Sequence, residues 1–241
     1  IYINPLYLIK GAELDANDAR VKFEFKTAYM LTGKDVTKIN DEHYVFEKDE
    51  MVVESGSMRR EDYWKLHKFR LFALLAYAAA FLKEIIMHCL NYDITPLDLF
   101  DELTYGIEEY PFFNKKFSEY IENIKALHFE TPEDLEKKIV ENIKNGKGIG
   151  ILDAYKQSTY TMGKVLGDPE KYYFSSEVIK AAANLYKKKD YKTPKEEKEF
   201  FDVLNVLIKI TPLLIISPCD ENLEKDIIFE SHYNFVAWSH N

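Results

Sequence analysis

The 241-residue chain is 46% hydrophobic and 15% aromatic, with 17 Tyr and 16 Phe against 9 Gly, a composition that builds a packed core and excludes a disordered chain. Its net charge of −9 and pI near 5.3, without a dense Lys/Arg run among aromatics, argue against nucleic acid as a partner. The longest apolar run, residues 71–82 between Arg70 and Lys83, is too short for a bilayer, and Cys89 and Cys219 cannot make a disulfide framework, so a cytoplasmic protein without membrane contact is expected.

The length allows one large domain or two small ones. Residues 1–9 are apolar and partly β-branched, and read as a short buried strand that begins in mid-fold, as in a fragment of a longer polypeptide. A loop follows at Lys10-Gly11, and residues 15–20 suit one polar helical turn. Val21, Phe23 and Phe25 alternate with charged residues, which predicts a half-buried strand. Residues 43–46 and 51–54, joined by a charged turn, predict a hairpin.

From Ser57, a candidate N-cap, a long helix is predicted from about 59 to 91. Later helices carry a recurring start signal: Thr95-Pro96-Leu97-Asp98, Thr131-Pro132-Glu133-Asp134 and Thr193-Pro194-Lys195-Glu196. In each, Thr caps free amides, Pro pre-sets the first turn and the acid complements the helix dipole. Further helices are predicted at about 112–127, 151–166 and 175–188, and the one from Thr193 should end before Pro212. Gly146 and Gly167 suit helix stops, and Lys187 to Lys189 suit a helix C-terminus. The tail at 226–238 reads as extended and docked through its aromatics. The expected class is therefore mainly α, a helical bundle-like domain at 56–241 behind a small β-containing segment at 1–55.

Chemistry-bearing motifs are sparse. The glycines of 146–150 follow a predicted helix and lack a Gly-Lys-Ser/Thr, so a helix–helix turn explains them better than a phosphate cradle. The six histidines show no zinc spacing; Glu84 and His88 lie one turn apart and suit a hydrogen-bonded pair better than a metal site. No nucleophile elbow is present. One pattern stands out. Tyr63, Arg70, Tyr77 and Glu84 recur every seven residues, with His88 one turn on, so the predicted helix projects the five along one line. Such a stripe on an apolar helix either faces water or lines a polar cavity, and Arg70, Tyr77, Glu84 and His88 form the candidate substrate-binding set. No catalytic, cofactor-binding or metal-ligating residue is assigned.

Four segments, in order, resemble the C-terminal region of cobalamin-binding-type radical SAM proteins, an iron–sulfur oxidoreductase family. Leu8-Ile9-Lys10-Gly11-Ala12-Glu13-Leu14 is similar to the segment that closes their barrel, and Asp18 to Lys22 followed by Phe25-Lys26-Thr27 resembles what comes next. Val52-Val53-Glu54 leading into Ser57-Met58-Arg59-Arg60-Glu61-Asp62-Tyr63-Trp64 resembles the entry to a long C-terminal helix, and Tyr233-Asn234-Phe235-Val236-Ala237-Trp238 is like their tail. The family's three-cysteine cluster loop and its Rossmann-like cobalamin domain are absent from this sequence. The resemblance therefore implies a non-catalytic accessory segment. SAM, a [4Fe-4S] cluster and, in such members, cobalamin would be held upstream. Residues 1–9 would complete the barrel edge, and the helices would cover its mouth and shape the substrate pocket. The partner so implied is the radical SAM barrel of the same polypeptide. A helical protein-interaction module and a standalone small-molecule-binding domain are the alternatives.

Overall fold

A computed structural model describes residues 5–40, 44–78, 82–106, 108–146, 170–190 and 193–214. The fold is mainly helical, with a small antiparallel sheet near the N-terminus. The chain divides into two compact units, one of residues 1–71 and 118–161, the other of 72–117 and 162–241. The expected division near Ser55 separated strand-bearing from helical sequence. The units are drawn differently, because two helices contribute to each.

In the first unit, strands β1 (Lys26–Lys38) and β2 (Tyr44–Glu54) form a long hairpin, with register shifts at Lys26/Thr27 and Thr32/Val36. The hairpin predicted within 43–54 is thus a single strand, whose partner is the segment before it. On the other edge of β2, the bonds Val52 N–H to the Leu6 carbonyl (2.9 Å) and Leu8 N–H to the Glu50 carbonyl (2.8 Å) hold the N-terminal segment beside it. Tyr29 exchanges two backbone bonds with Phe129, which covers β1 in turn. Alternation along β1 gives the sheet two apolar faces. Leu31 and Tyr29 pack on Leu127, Leu135 and Ile139, the last two from α6 (Pro132–Lys144). Ala28 packs with Val53 on Tyr63 of α2 (Arg60–Ala73).

The strand predicted at Val21, Phe23 and Phe25 is replaced by helix α1 (Asn17–Lys22), which follows a 3-10 turn at Glu13–Asp15. Val21 and Phe23 are exposed, so the alternation has no buried face to serve. What fixes the segment is Arg20. Its guanidinium makes two bonds to Glu50 (2.7 and 2.8 Å) and one to Asp15 (2.5 Å), tying α1 to β2. The predicted Lys10-Gly11 loop is a turn with Gly11 in the left-handed region (φ 84°), a conformation glycine adopts without strain.

The continuous helix predicted over 59–91 is interrupted. Helix α2 gives way to a π-turn at Leu74–Ala78, and α3 covers Lys83–Leu90. Leu82 leaves the helical region (φ −113°, ψ 10°), which breaks the i to i−4 ladder. Ser57 is not the cap of α2. It sits in a turn closed by reciprocal bonds between Ser55 and Met58, and Asp62 reaches back to the Arg59 N–H instead.

The second unit contains α3, α4 (Pro96–Tyr105), the start of α5 (Pro111–Lys125), α7 (Glu170–Lys187) and α8 (Pro194–Leu214). The Thr-Pro-x-acid signals act as read, and the acid does more than complement the dipole. Thr95 accepts from the Asp98 N–H while Asp98 accepts from the Thr95 N–H at 2.7 Å, a complete capping box, and Thr193 and Glu196 repeat it. The α5 amides of Phe112 and Phe113 are capped from another helix, by the Glu177 carboxylate at 2.8 and 3.0 Å. Lys188 and Lys189 bond Glu102 and the Asp93 carbonyl, so the basic cluster ties elements together. Helix α8 runs through Pro212, which costs one backbone bond within its last turn. Phe100, Phe113, Phe117 and Phe174 fill one part of the core; Tyr186, stacked on Phe200 at 3.9 Å, fills another. The predicted helix at 151–166, the glycines after Gly146, Cys219 and the tail lie outside the described residues. Among the described residues no helix is long and apolar enough to cross a membrane.

Candidate ligand-binding cavity

Within α2, Tyr63, Leu66, His67 and Arg70 are spaced three, one and three residues apart, which places them on one helix face. That face lines a cavity of about 410 Å³ whose other wall is made by Pro5 and Leu6, Phe25 and Val52. The turn that carries Ser55, Ser57 and Met58 supplies further lining. Among the described residues of this lining, Arg70 is the one that carries a formal charge; the rest are apolar, aromatic or neutral polar. A second cavity, of about 320 Å³, is lined among others by Trp64, His128, Arg60 and Lys125.

A cluster of rings joins these linings. Tyr63 meets His67 edge-on at 4.6 Å, Trp64 stacks on His128 at 5.3 Å, and the two imidazoles are 6.3 Å apart. The Tyr63 hydroxyl lies 3.4 Å from His128 Nε2. His67 is only 5% exposed. Burial pushes its pKa down to about 4, and the nearby His128 and Arg70 add to the effect. His128 is pushed down to about 4 as well, again by burial first and then by Arg60. Both rings are therefore neutral at pH 7, each with one N–H and one acceptor nitrogen. Among the described residues, neither buried Nδ1 has a hydrogen-bond partner. A small void of about 10 Å³, the space of roughly one water, touches both histidines, Arg70 and Met51. Chemically, the arrangement offers a mostly apolar chamber with Arg70, His67 and two serines among its lining. Such a chamber suits binding and orientation of a small molecule.

The candidate set Arg70, Tyr77, Glu84 and His88 is distributed along the interrupted helix. Arg70 lines the cavity, with Tyr63 of the same stripe. Tyr77 falls in the π-turn, and Glu84 and His88 lie on α3 in the second unit. The seven-residue repeat aligns side chains only in an unbroken α-helix, and the helix is interrupted between Arg70 and Glu84. His88 is a core residue there. It is 1% exposed, stacks on Phe200 at 4.9 Å, and its Nε2 lies 3.1 Å from the Phe200 carbonyl. A carbonyl only accepts, so that nitrogen carries the proton. Burial pushes the His88 pKa down to about 4. Cys89 beside it is buried and its thiol is pushed up to about 12. Among the described residues no three His, Cys, Asp or Glu side chains gather as metal ligands would.

His67, Trp64 and His128 were not singled out by the sequence reading. The 63-66-67-70 spacing was the available signal for His67, at ordinary helical periodicity rather than in heptads. His128 had none, since it arrives from the end of α5, far along the chain. No family model matches the chain, and neither does a curated protein or a solved structure.

Proposed function

We propose that this chain is an accessory segment of a radical SAM-type enzyme of the cobalamin-dependent kind, and that its first unit helps enclose the substrate over the catalytic barrel. The reading starts from the four-segment resemblance. One structural observation supports it: the cavity of about 410 Å³ takes part of its wall from Pro5 and Leu6. Those residues belong to the stretch that the resemblance puts at the barrel edge, so a pocket opening there would be contiguous with the barrel mouth. An apolar chamber with few polar groups is what substrate enclosure needs, because excluding water protects reactive intermediates from side reactions.

The iron–sulfur cluster does not fit the residues described here. Such clusters are held by cysteine thiolates, and Cys89 is buried with its thiol protonated at neutral pH. The cluster, SAM and cobalamin would supply the radical chemistry from upstream. This chain's own residues would contribute shape, a guanidinium and hydrogen bonds. The test is anaerobic reconstitution of the whole encoded polypeptide beside the 241-residue chain. The whole polypeptide should bind one four-iron cluster and cleave SAM to 5′-deoxyadenosine, while the chain alone binds no stoichiometric iron. A cluster on the chain alone, or a whole polypeptide without iron, would overturn the reading.

A further inference from the structure

The cavity of about 320 Å³ is lined by cations from two helices, Arg60 at the start of α2 and Lys125 at the end of α5. We propose that it binds a small phosphate monoester, with the phosphate held between Arg60 and Lys125 and the apolar body of the ester against Trp64 and Phe129. The site lies within the first unit and is independent of the enclosure reading, which rests on the other cavity.

Three cations meet around one indole. Arg60, Trp64 and Lys68 follow one another at four-residue spacing, so they share a face of α2. Lys125 reaches the same place from α5, its Nζ 5.8 Å from the centre of the Trp64 ring. Among the described residues, Lys68 has no hydrogen bond or ion pair. Burial, and then the charge of Lys125, hold its amine below the ordinary lysine range. Positive charge is thus incompletely compensated here, in a chain whose net charge is −9. Among the described residues, the Arg60 guanidinium makes no hydrogen bond. Its ion pair with Glu54 spans 3.9 Å, and Lys26 also bonds that carboxylate. Lys125 bonds Glu122 at 2.7 Å along the exposed surface of α5. Exposed pairs of this kind contribute little, so a dianion can take the place of Glu122 at small cost.

The donors point to the class of anion. Two cations on different helices suit the three oxygens of a phosphate better than a carboxylate, which a single guanidinium fork saturates. Glu130 also lines the cavity and offsets one of the two charges, while Lys68 beside Lys125 keeps the balance positive. The rest of the described lining is largely apolar, with Ala28, Val53, Trp64 and Phe129. Bare phosphate would leave that wall wet, whereas an aromatic or hydrocarbon body would cover it. A volume of about 320 Å³ stands at the lower end of small-molecule sites and suits one ring carrying one phosphate.

The probes are phenyl phosphate, inorganic phosphate, benzoate and phenol, titrated into the intact chain by NMR. Phenyl phosphate should bind about tenfold tighter than benzoate, the worth of one more charge-assisted hydrogen bond, and about tenfold tighter than inorganic phosphate, the worth of a buried ring. Phenol should not bind. The Trp64 indole and His128 ring signals should move on binding, while those of His88, in the core of the second unit, stay in place. Arg60→Gln and Lys125→Gln replace half-exposed side chains, and each should weaken phenyl phosphate about tenfold. Lys138→Gln, on the exposed surface of α6, should leave its affinity unchanged. Benzoate binding as tightly as phenyl phosphate would overturn the phosphate assignment, and inorganic phosphate doing so would overturn the ester. Phenol binding as tightly would remove the role of the cations. Affinity untouched by Arg60→Gln, or reduced as much by Lys138→Gln as by Lys125→Gln, would overturn the location, as would an unmoved Trp64 signal. If phenyl phosphate does not bind, the site itself falls, and the iron assay decides the family reading separately.

Discussion

The Arg20 guanidinium bonds Glu50 through both carboxylate oxygens and Asp15 through one, and the Glu50 side chain is only 16% exposed. Removing the cation would leave a mostly buried carboxylate without its counter-ion, with the Thr27 and Tyr29 hydroxyls as its remaining donors. Arg20→Met should therefore cost about 1–3 kcal/mol in a denaturant titration, below the value for a fully buried pair. Arg20→Lys should recover little, since an ammonium cannot reproduce the fork. Histidine burial makes a second prediction at this scale. His67, His88 and His128 all have folded-state pKa values near 4, against an ordinary value of 6.5. Between those limits the unfolded chain binds more protons than the folded one, so stability rises with pH. Their contribution is full above pH 6.5 and is lost as the pH falls towards 4. Each pKa unit is worth about 1.4 kcal/mol, so the effect should be large enough to measure. His67→Gln should make the dependence of stability on pH shallower across that window, and an unchanged slope would contradict the burial argument.

At the level of elements, the helix starts were legible because capping is a local transaction. Thr, Pro and an acid within four residues carry their own hydrogen-bond partners, and all three such signals open helices. Thr95→Ala should cost about 1 kcal/mol. Elements whose identity depends on distant contacts were not legible. The alternation of Val21, Phe23 and Phe25 reads as a strand, yet the fold leaves Val21 and Phe23 exposed and recruits Arg20 to β2 across 30 residues. The π-turn is a second case. Nothing in the local composition of 74–78 breaks an α-helix, and the break interrupts the heptad spacing between Arg70 and Glu84. Of the candidate set, Arg70 lines the cavity; His67 was within reach one turn away, and His128 was not. Buried faces fared better. Phe72 and Leu75 are 1% and 3% exposed, as an organising helix requires. Leu75→Ala should cost about 2–5 kcal/mol by denaturant titration, and a loss below about 1 kcal/mol would mean that its surroundings collapse without penalty.

On the scale of the molecule, composition and periodicity established a mainly helical chain with a small N-terminal sheet. They did not establish how segments far apart in sequence are grouped. Residues 118–146 return to the sheet of the first unit, where Phe129 pairs with Tyr29 and Ile139 packs near Leu31. Only that return brings His128 to α2 and completes the ring cluster beside the cavity. The central claim is that this cavity opens towards a catalytic barrel upstream in the same polypeptide. Leu66 lines it and is 46% exposed, so a photoreactive side chain there would sample whatever lies across the opening. The direct test places benzoylphenylalanine at position 66 of the whole encoded polypeptide, irradiates it and maps the cross-links by mass spectrometry. The account predicts cross-links to segments upstream of Ile1, reduced when the cavity is filled by a bound ligand. Cross-links confined to residues 1–241 would contradict it.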